Sequence, residues 1–418
     1  MFLTIRCRSI ALVFWLLACI TIPIWNRVDP AGYDVAIYHN AIVSLHAGHD
    51  PYVDAMAVQD AFRRTLAQHP DASLPCNYIY PPITLPLLRL MGALPTWFAC
   101  SVYWLILIAS ILSVLWVTTR ARERTEITFV TLVAPLAVFC PGLLAHDTIL
   151  SGNVAFILYA LVLLSAYIGW TRGIWRWCYL AILIASCFKP PLLTLLAIPF
   201  FSARRQGLPA GATAALGLGI FAAQSRLSPT LFAHFLQDLQ RQFTFTREFG
   251  SSPSGVFSDF LVHHNVAYSP ASLVFYAFYA AAIVSVLFYL SRQYLDGALT
   301  LQQWMPVLLV GTILLNPRIM EYDAAPLAIP MALIAWRFFT RDGITTRAIL
   351  TYLGVFLAAN LIAVNLTNAW KPTESLVLTA VFTTGAWGLL QHSEALFPEP
   401  VPAIAEVEIE TDEDLVPA

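Results

Sequence analysis

Charge is scarce in this chain. Lys and Arg number 23 and Asp and Glu 25 among 418 residues, 11% together, where a soluble domain carries about 25%. With 58% hydrophobic residues, that deficit excludes an ordinary soluble domain and points to an integral membrane protein. A net charge of −2 leaves no basic surface for nucleic acid, which is not expected as a partner. The acidic residues are also unevenly spread. Eight of the 25 carboxylates lie beyond Ser393 in a Pro-punctuated tail, a composition that favours a solvated, disordered segment. Two regions follow: a membrane domain over 1–391 and an acidic cytoplasmic tail over 392–418. Cysteine pairs are lacking too. Six of the seven cysteines sit in or beside apolar segments, with no CxxC and no Cys/His ligand spacing, so neither a disulfide framework nor a zinc site is supported. No period of 20 to 50 residues repeats, which argues against an inverted-repeat transporter.

What is present is a series of apolar runs. The N-terminal run has a basic start but no small-x-small cleavage site, so it is expected to be a retained first span rather than a signal peptide. At about 17 to 25 residues per spanning helix, spans are predicted near 9–25, 97–118, 127–145, 152–170, 208–224, 270–291, 300–316, 323–340, 346–366 and 373–391. With a cytoplasmic N-terminus, the inside connections hold 13 of the 23 basic residues, among them Arg120, Arg172, Arg176, Arg204, Arg205, Arg292, Arg337 and Arg341, as the positive-inside rule requires. Two long connections, 26–96 and 225–269, fall outside. The segment WCYLAILIASCFKPPLLTLLAIPFF over 177–201 resists a simple assignment, because basic residues flank it on both sides. Its centre is Lys189-Pro190-Pro191, and proline breaks helices while disfavouring helical geometry in the residue before it. It is either a re-entrant hairpin carrying Lys189 across the midplane or one Pro-kinked span. A bare ammonium at that depth costs about 3 kcal/mol or more, so Lys189 should meet an anion or water.

The first outer connection opens with GYDVAIYHNAIVSLHAGHDPY over 32–52. Asp34, Ile37, Tyr38, Ala41, Ile42 and Leu45 fall on one helical face, Gly48 supplies a left-handed stop, and Pro51 prevents continuation. This is a short surface helix with Asp34 in its first turn; Asp34 either caps that helix or does chemistry there. After a polar stretch from Val53 to Asn77, YIYPPITLPLLRLMGALP over 78–95 enters extended at Pro81-Pro82 and is too short to span. The turn at 146–156 places His146 and Asp147 against Gly152 and Asn153. The turn NPRIMEYDAAP over 316–326 gathers Arg318, Glu321, Tyr322 and Asp323, with Arg318 either clamping a phosphate or pairing with Glu321 or Asp323. His263 and His264 read as a solvated pair, since no third ligand recurs at useful spacing.

Taken in order, GYDVAIYHNAIVSLHAGHDPY, YIYPP, SGNVAFILYALVLL, FKPPLLTLL and NPRIMEYD resemble the polytopic GT-C glycosyltransferases. The closest likeness is to glycosyltransferase family 87, the polyprenol-phosphate-mannose-dependent α-1,2-mannosyltransferases, and it covers roughly residues 9–390. The resemblance implies an all-α bundle of about 10 to 12 transmembrane or re-entrant helices with two long outer loops. It implies a hexosyltransferase of the cell envelope, embedded in the inner (plasma) membrane with its site on the extracytoplasmic side. Such an enzyme takes a hexose or pentose, mannose favoured, from a polyprenyl-phosphate donor to a lipid or glycan hydroxyl. It also implies an acidic base in the first outer loop, which matches Asp34, with Asp29 as the second choice. The family often carries His or Trp in the turn that here reads NPRIMEYD. A sugar on a lipid phosphate needs a deprotonated acceptor and compensation of phosphate charge. Lys189 and Arg318 are the candidates for the phosphate, and Tyr38, Tyr80, Asn153, Glu321, Tyr322 and Asp323 for positioning substrate. Segment 78–95 would line the path of the polyprenyl tail. The chemistry calls for no cofactor and no metal, since fixed cations can serve a monophosphate. A lipid or small-molecule transporter and a non-catalytic envelope-assembly subunit are the competing classes.

Overall fold

A computed structural model describes residues 32–66, 77–122, 126, 151–243, 249–264, 266, 269–365 and 370–391. The expected spans at 9–25 and 127–145, Asp29, His146, Asp147 and the acidic tail lie outside the described residues. The described residues are all-α, without strands. In chain order the helices are α1 (Tyr33–His46), α2 (Pro51–Leu66), α3 (Leu85–Gly92), α4 (Thr96–Thr118), α5 (Ala155–Arg172), α6 (Arg176–Phe188), α7 (Ala197–Ser202) and α8 (Gly207–Leu227). They continue as α9 (Pro229–Arg241), α10 (Pro253–His263), α11 (Ser269–Leu295), α12 (Leu301–Leu314), α13 (Glu321–Ala324), α14 (Ala328–Phe339), α15 (Thr346–Asn365) and α16 (Trp370–Gln391).

Four helices among the described residues are long and apolar enough to cross a membrane: Thr96–Ala121, Ala155–Arg172, Gly207–Leu227 and Pro270–Leu295. They divide by burial. The most apolar window of α5 is 56% buried while those of the other three are 17%, so α5 is interior and α4, α8 and α11 present most of their surface outward. Helix α5 packs on α4 and α6, and a second part of the core is formed by α12, α14 and α16 packing on one another. In α12, Trp304, Val307, Leu308, Val310 and Leu314 are completely buried. The helix needs little lipid-facing length, and its 14 residues span only about 21 Å.

Two expected spans are therefore corrected. The run at 300–316 is a short buried helix that ends at Leu314. The run at 323–340 is split into α13, a 3-10 turn at Ala325–Leu327 and α14, because Pro326 sits where an amide would be needed to carry the helix through. The spans expected at 97–118, 152–170, 208–224, 270–291, 346–366 and 373–391 each correspond to a helix. Arg337, counted from sequence among the inside basic residues, lies in the last turn of α14. Its guanidinium grips Glu126 at 2.6 and 3.2 Å and donates to the carbonyls of Ala121 and Gln302.

The segment 177–201 is a hairpin. Helix α6 stops at Phe188, Lys189 is extended (φ −133, ψ 93), and the chain turns back through a 3-10 stretch at Pro190–Leu196 into α7. At its base Trp170 donates to Ser202 (2.9 Å) and Tyr179 to Gln206 (2.8 Å), so the chain leaves at the level where it entered. At its apex Lys189 reaches Asn153, at the opposite end of α5 from Trp170.

On the apex side the long connections are themselves helical. The polar stretch that follows from Val53 begins within α2, opened by Pro51 in its first turn, where a missing amide costs nothing. Helix α2 packs on α1 and α9, and α3 packs on α1. Between α2 and α9 lies a charged seam: His234 meets Asp50 at 2.7 Å, Arg241 meets Asp60 at 3.0 Å, and Asn77 donates to the buried Asp238 at 2.7 Å.

The second carboxylate oxygen of Asp238 makes no hydrogen bond among the described residues. Burial pushes this carboxyl up to about 6, against the pull of Asn77 and Arg241 and with a further push from Asp50. The folded protein thus keeps this proton at pH values where the unfolded chain, titrating near 3.8, has lost it. Its contribution to stability is full below that lower value and declines as pH rises toward about 6. Asp238→Asn should flatten the dependence of thermal midpoint on pH across that window. An unchanged slope would remove Asp238 as its source.

Candidate active site

Gly32 adopts φ +88 and starts α1, placing Asp34 in the first turn. Opposite it, Ser151, Gly152 and Asn153 lead into α5. Gly152 is left-handed at φ +74, and a side chain there would collide with Val35 of α1, so glycine is what lets the two chain entries touch. Side chains of Ser151 and Asn153 hydrogen-bond to the Asp34 carboxylate. Burial raises the pKa of Asp34, opposed by those two hydrogen bonds and by the charge of Lys189.

Asn153 is almost completely buried. Its carbonyl oxygen accepts the amide of Ala155 at 2.9 Å and the ammonium of Lys189 at 3.4 Å. One amide side chain therefore joins the carboxylate of α1 to the cation of the hairpin. Lys189 also meets Asp323 at 3.1 Å and lies 3.8 Å from the centre of the Tyr322 ring. The other oxygen of Asp323 accepts the amide of Met320, which fixes the turn before α13. The sequence asked for an anion near Lys189 and did not single out Asp323 for that part.

Arg318 comes from the same turn. Its amide is held by the Asn316 side chain at 3.0 Å, and its guanidinium lies 5.5 Å from the Phe243 ring centre. It is close enough for its charge to act on Lys189 and Tyr322. A second strand of contacts anchors this turn from α10. Gly250, at φ +81, leaves room for the Ile319 carbonyl, and the Ser251 amide donates to that carbonyl at 2.6 Å. Ser252 donates to the Pro317 carbonyl, and Glu374 accepts from Ser251.

Beneath Asp34 lies a floor of tyrosines. Tyr38, one turn on from Asp34, shares a hydrogen bond with Tyr80 (3.1 Å) and accepts the Val154 amide (3.1 Å). Tyr52 donates to the Tyr80 carbonyl and Tyr78 bonds with Thr84. Pro81 is extended, as read from YIYPP, and Pro82 opens a 3-10 turn into α3. Asp34, Tyr38, Tyr80, Asn153, Lys189, Arg318, Tyr322 and Asp323 thus belong to one region. The Glu321 side chain and Asp29 lie outside the description.

Two further tyrosines were not singled out from sequence. Tyr103 of α4 donates to the Gly152 carbonyl at 2.6 Å. Tyr159 of α5 is buried beside Asp323, and its hydroxyl has no hydrogen-bond partner among the described residues. Both sit inside apolar helices, where only their hydroxyls distinguish them from core aromatics.

Tyr38→Phe should leave the Val154 amide buried without an acceptor, at a cost of roughly 1–3 kcal/mol. A lower thermal midpoint in detergent, with the helical circular-dichroism signal retained, is the expected result. An unaltered midpoint would show that the hydroxyl is not part of the floor.

No curated protein and no solved structure matches the chain. The model of glycosyltransferase family 87 matches residues 78–317. Within the match fall the tyrosine floor from Tyr78 onward, Asn153 and the Lys189 hairpin, while Asp34 precedes it and Arg318 follows it. A match that runs from that floor to the Pro317 turn, over more than half its length, makes the chain a member of glycosyltransferase family 87, a membrane enzyme with a sugar donor and an acceptor as substrates.

Proposed function

We propose that the protein transfers a sugar, mannose in the favoured case, from a polyprenyl-phosphate donor to a hydroxyl of a lipid or glycan, with inversion. The site would face the extracytoplasmic side of the inner (plasma) membrane. The observation that carries this reading is the Asn153 link, with a buried carboxylate on one side and a buried ammonium on the other.

Transfer to a hydroxyl requires a base for its proton and a cationic seat for the leaving phosphate. Asp34, ionised, takes the proton as the acceptor oxygen attacks the anomeric carbon. The bond from that carbon to the phosphate oxygen breaks on the opposite side, and the polyprenyl phosphate leaves with the electron pair. Charge builds on the phosphate as this happens, and a fixed cation in a dry site stabilises it more than water would. Lys189 and Arg318 supply that charge, Lys189 by shifting its ammonium from Asp323 toward the phosphate. Asp323 remains to balance the lysine when the site is empty, which removes the cost of a lone buried charge. A raised pKa makes Asp34 a stronger base once ionised. The tyrosine floor and segment 78–95 give the lipid tail an apolar approach, with hydroxyls available to the sugar.

Membranes containing the protein should move label from a polyprenyl-phosphate sugar to an endogenous lipid or glycan. Asp34→Asn should reduce this by roughly 100-fold or more, the scale of general-base catalysis, with protein abundance and thermal midpoint preserved. Because the Asp34 pKa is raised, activity should fall away on the acid side at a pH above that of an ordinary aspartate. Full turnover in Asp34→Asn would exclude Asp34 as the base. Transport of the donor without transfer would exclude the enzymatic reading.

A further inference from the structure

The base of the hairpin, at the far end from Lys189, frames an open cavity of about 380 Å³, within the ~300–1,000 Å³ of small-molecule sites. Its lining is mostly apolar, and among the described residues it includes Arg204, Arg205 and Arg292, each exposed and so able to hold its guanidinium at the rim, and no carboxylate. Asp296 touches Arg204 at 2.8 Å from beyond that lining, and Arg204 also donates to the Leu295 carbonyl. The charge of the cavity is therefore only partly offset. Gly207, the first residue of α8, is also in the lining and adds the positive end of a helix dipole.

The surroundings fix what kind of anion belongs there. Phe200 and Phe288, which also line the cavity, are 41% and 47% exposed. They belong to the hairpin and to α11, whose surface is mostly outward-facing, so in a bilayer the cavity opens toward acyl chains. Its depth is set by the neighbouring aromatic residues. Trp170, Trp175, Trp177 and Tyr179 cluster at the same end of α5 and α6, and Trp177, under Arg176, is half exposed. Tryptophan and tyrosine mark the level of the headgroups. Guanidiniums at that level, above an apolar opening, match a phosphodiester with two acyl tails. A soluble anion would have no use for the exposed Phe200 and Phe288.

We propose that this cavity is a binding site for an anionic glycerophospholipid. Its phosphodiester is held by Arg205 and Arg292, with Arg204 shared between lipid and Asp296, and its tails lie along Phe200 and Phe288. The positive-inside bias assigns this end to the cytoplasmic leaflet, so the site is separate from the Lys189 cluster. Its occupant braces the two legs of the hairpin at their base, and its binding does not depend on the reaction proposed above.

The test uses delipidated full-length protein in neutral detergent, titrated with phosphatidylglycerol, phosphatidylcholine or inorganic phosphate, and read by native mass spectrometry and thermal midpoint. One phosphatidylglycerol should be retained in preference to phosphatidylcholine and should raise the midpoint, while inorganic phosphate at equal concentration should not. Arg205→Gln with Arg292→Gln should weaken phosphatidylglycerol retention roughly tenfold or more, as loss of charge-assisted contacts implies. Asp296→Asn, at an exposed position, should strengthen it by freeing Arg204. The proposal is overturned if the two lipids are retained equally, if phosphate alone reproduces the shift, or if Asp296→Asn leaves retention unchanged.

Discussion

An ammonium carried to the apex of a membrane-embedded hairpin must find a counter-charge, and much of the molecule is arranged around that requirement. Lys189 is extended because Pro190 follows it, and the two prolines prevent the chain from continuing α6 as a single crossing. The lysine then lies deep among α5, α12 and the turn at 316–323, where Asp323 meets it at 3.1 Å with only 5% of its side chain exposed. Asp323 sits in the first turn of α13, where its other oxygen reaches back to hold the Met320 amide, so one carboxylate both caps that short helix and meets the lysine 134 positions earlier.

The two carboxylates nearest Lys189 occupy different environments. Asp323 is in direct contact with the ammonium, whereas Asp34 is reached through Asn153 and has its pKa raised by burial. Under the proposed function this separation gives them different work, the one in contact balancing charge at rest and the one held back taking the proton. In the proposed reaction an incoming phosphate exchanges with Asp323 at the lysine, and Asp34 is drawn into play by the acceptor alone. The tyrosine floor keeps this spacing, because Tyr38 holds both the Val154 amide at the start of α5 and Tyr80 at the Pro81 hinge.

Local features were legible in the sequence where local forces decide them. The apolar stripe from Asp34 to Leu45 ended by Gly48, the extended entry at Pro81, and the break at Lys189-Pro190-Pro191 all follow from periodicity or from backbone restrictions of Gly and Pro. The two readings of 177–201 were open because helical propensity does not say at which level the chain returns; that is settled by Trp170–Ser202 and Tyr179–Gln206, contacts made across the fold. Helix α2 was hidden by the polarity of most of its residues; it meets α9 through a few of them, Tyr52 against Phe235 and Asp60 on Arg241. The Lys189–Asp323 and Arg337–Glu126 pairs join residues 134 and 211 positions apart, and neither spacing nor composition selects one carboxylate among 25. Tyr103 and Tyr159 could not be told from core aromatics, because a hydroxyl inside an apolar run gains meaning only from what it faces.

Helix length explains why the chemistry collects where it does. A helix that faces lipid has to run the thickness of the bilayer with every backbone group satisfied within itself, which leaves no interior ends. Helices α4, α8 and α11 obey this and contribute few polar groups to the Lys189 cluster. Helices α12 and α14 are mostly buried and α6 is partly so, and each stops short with one end inside the protein, at Phe188, Leu314 and Ala328. Irregular backbone is tolerated at membrane depth where protein surrounds it, and Lys189 and the 316–323 turn are two such places, brought together. Their burial creates a dry, polar interior. A buried lysine and a buried aspartate therefore interact there more strongly than they would in water, as would the phosphate of the proposed donor.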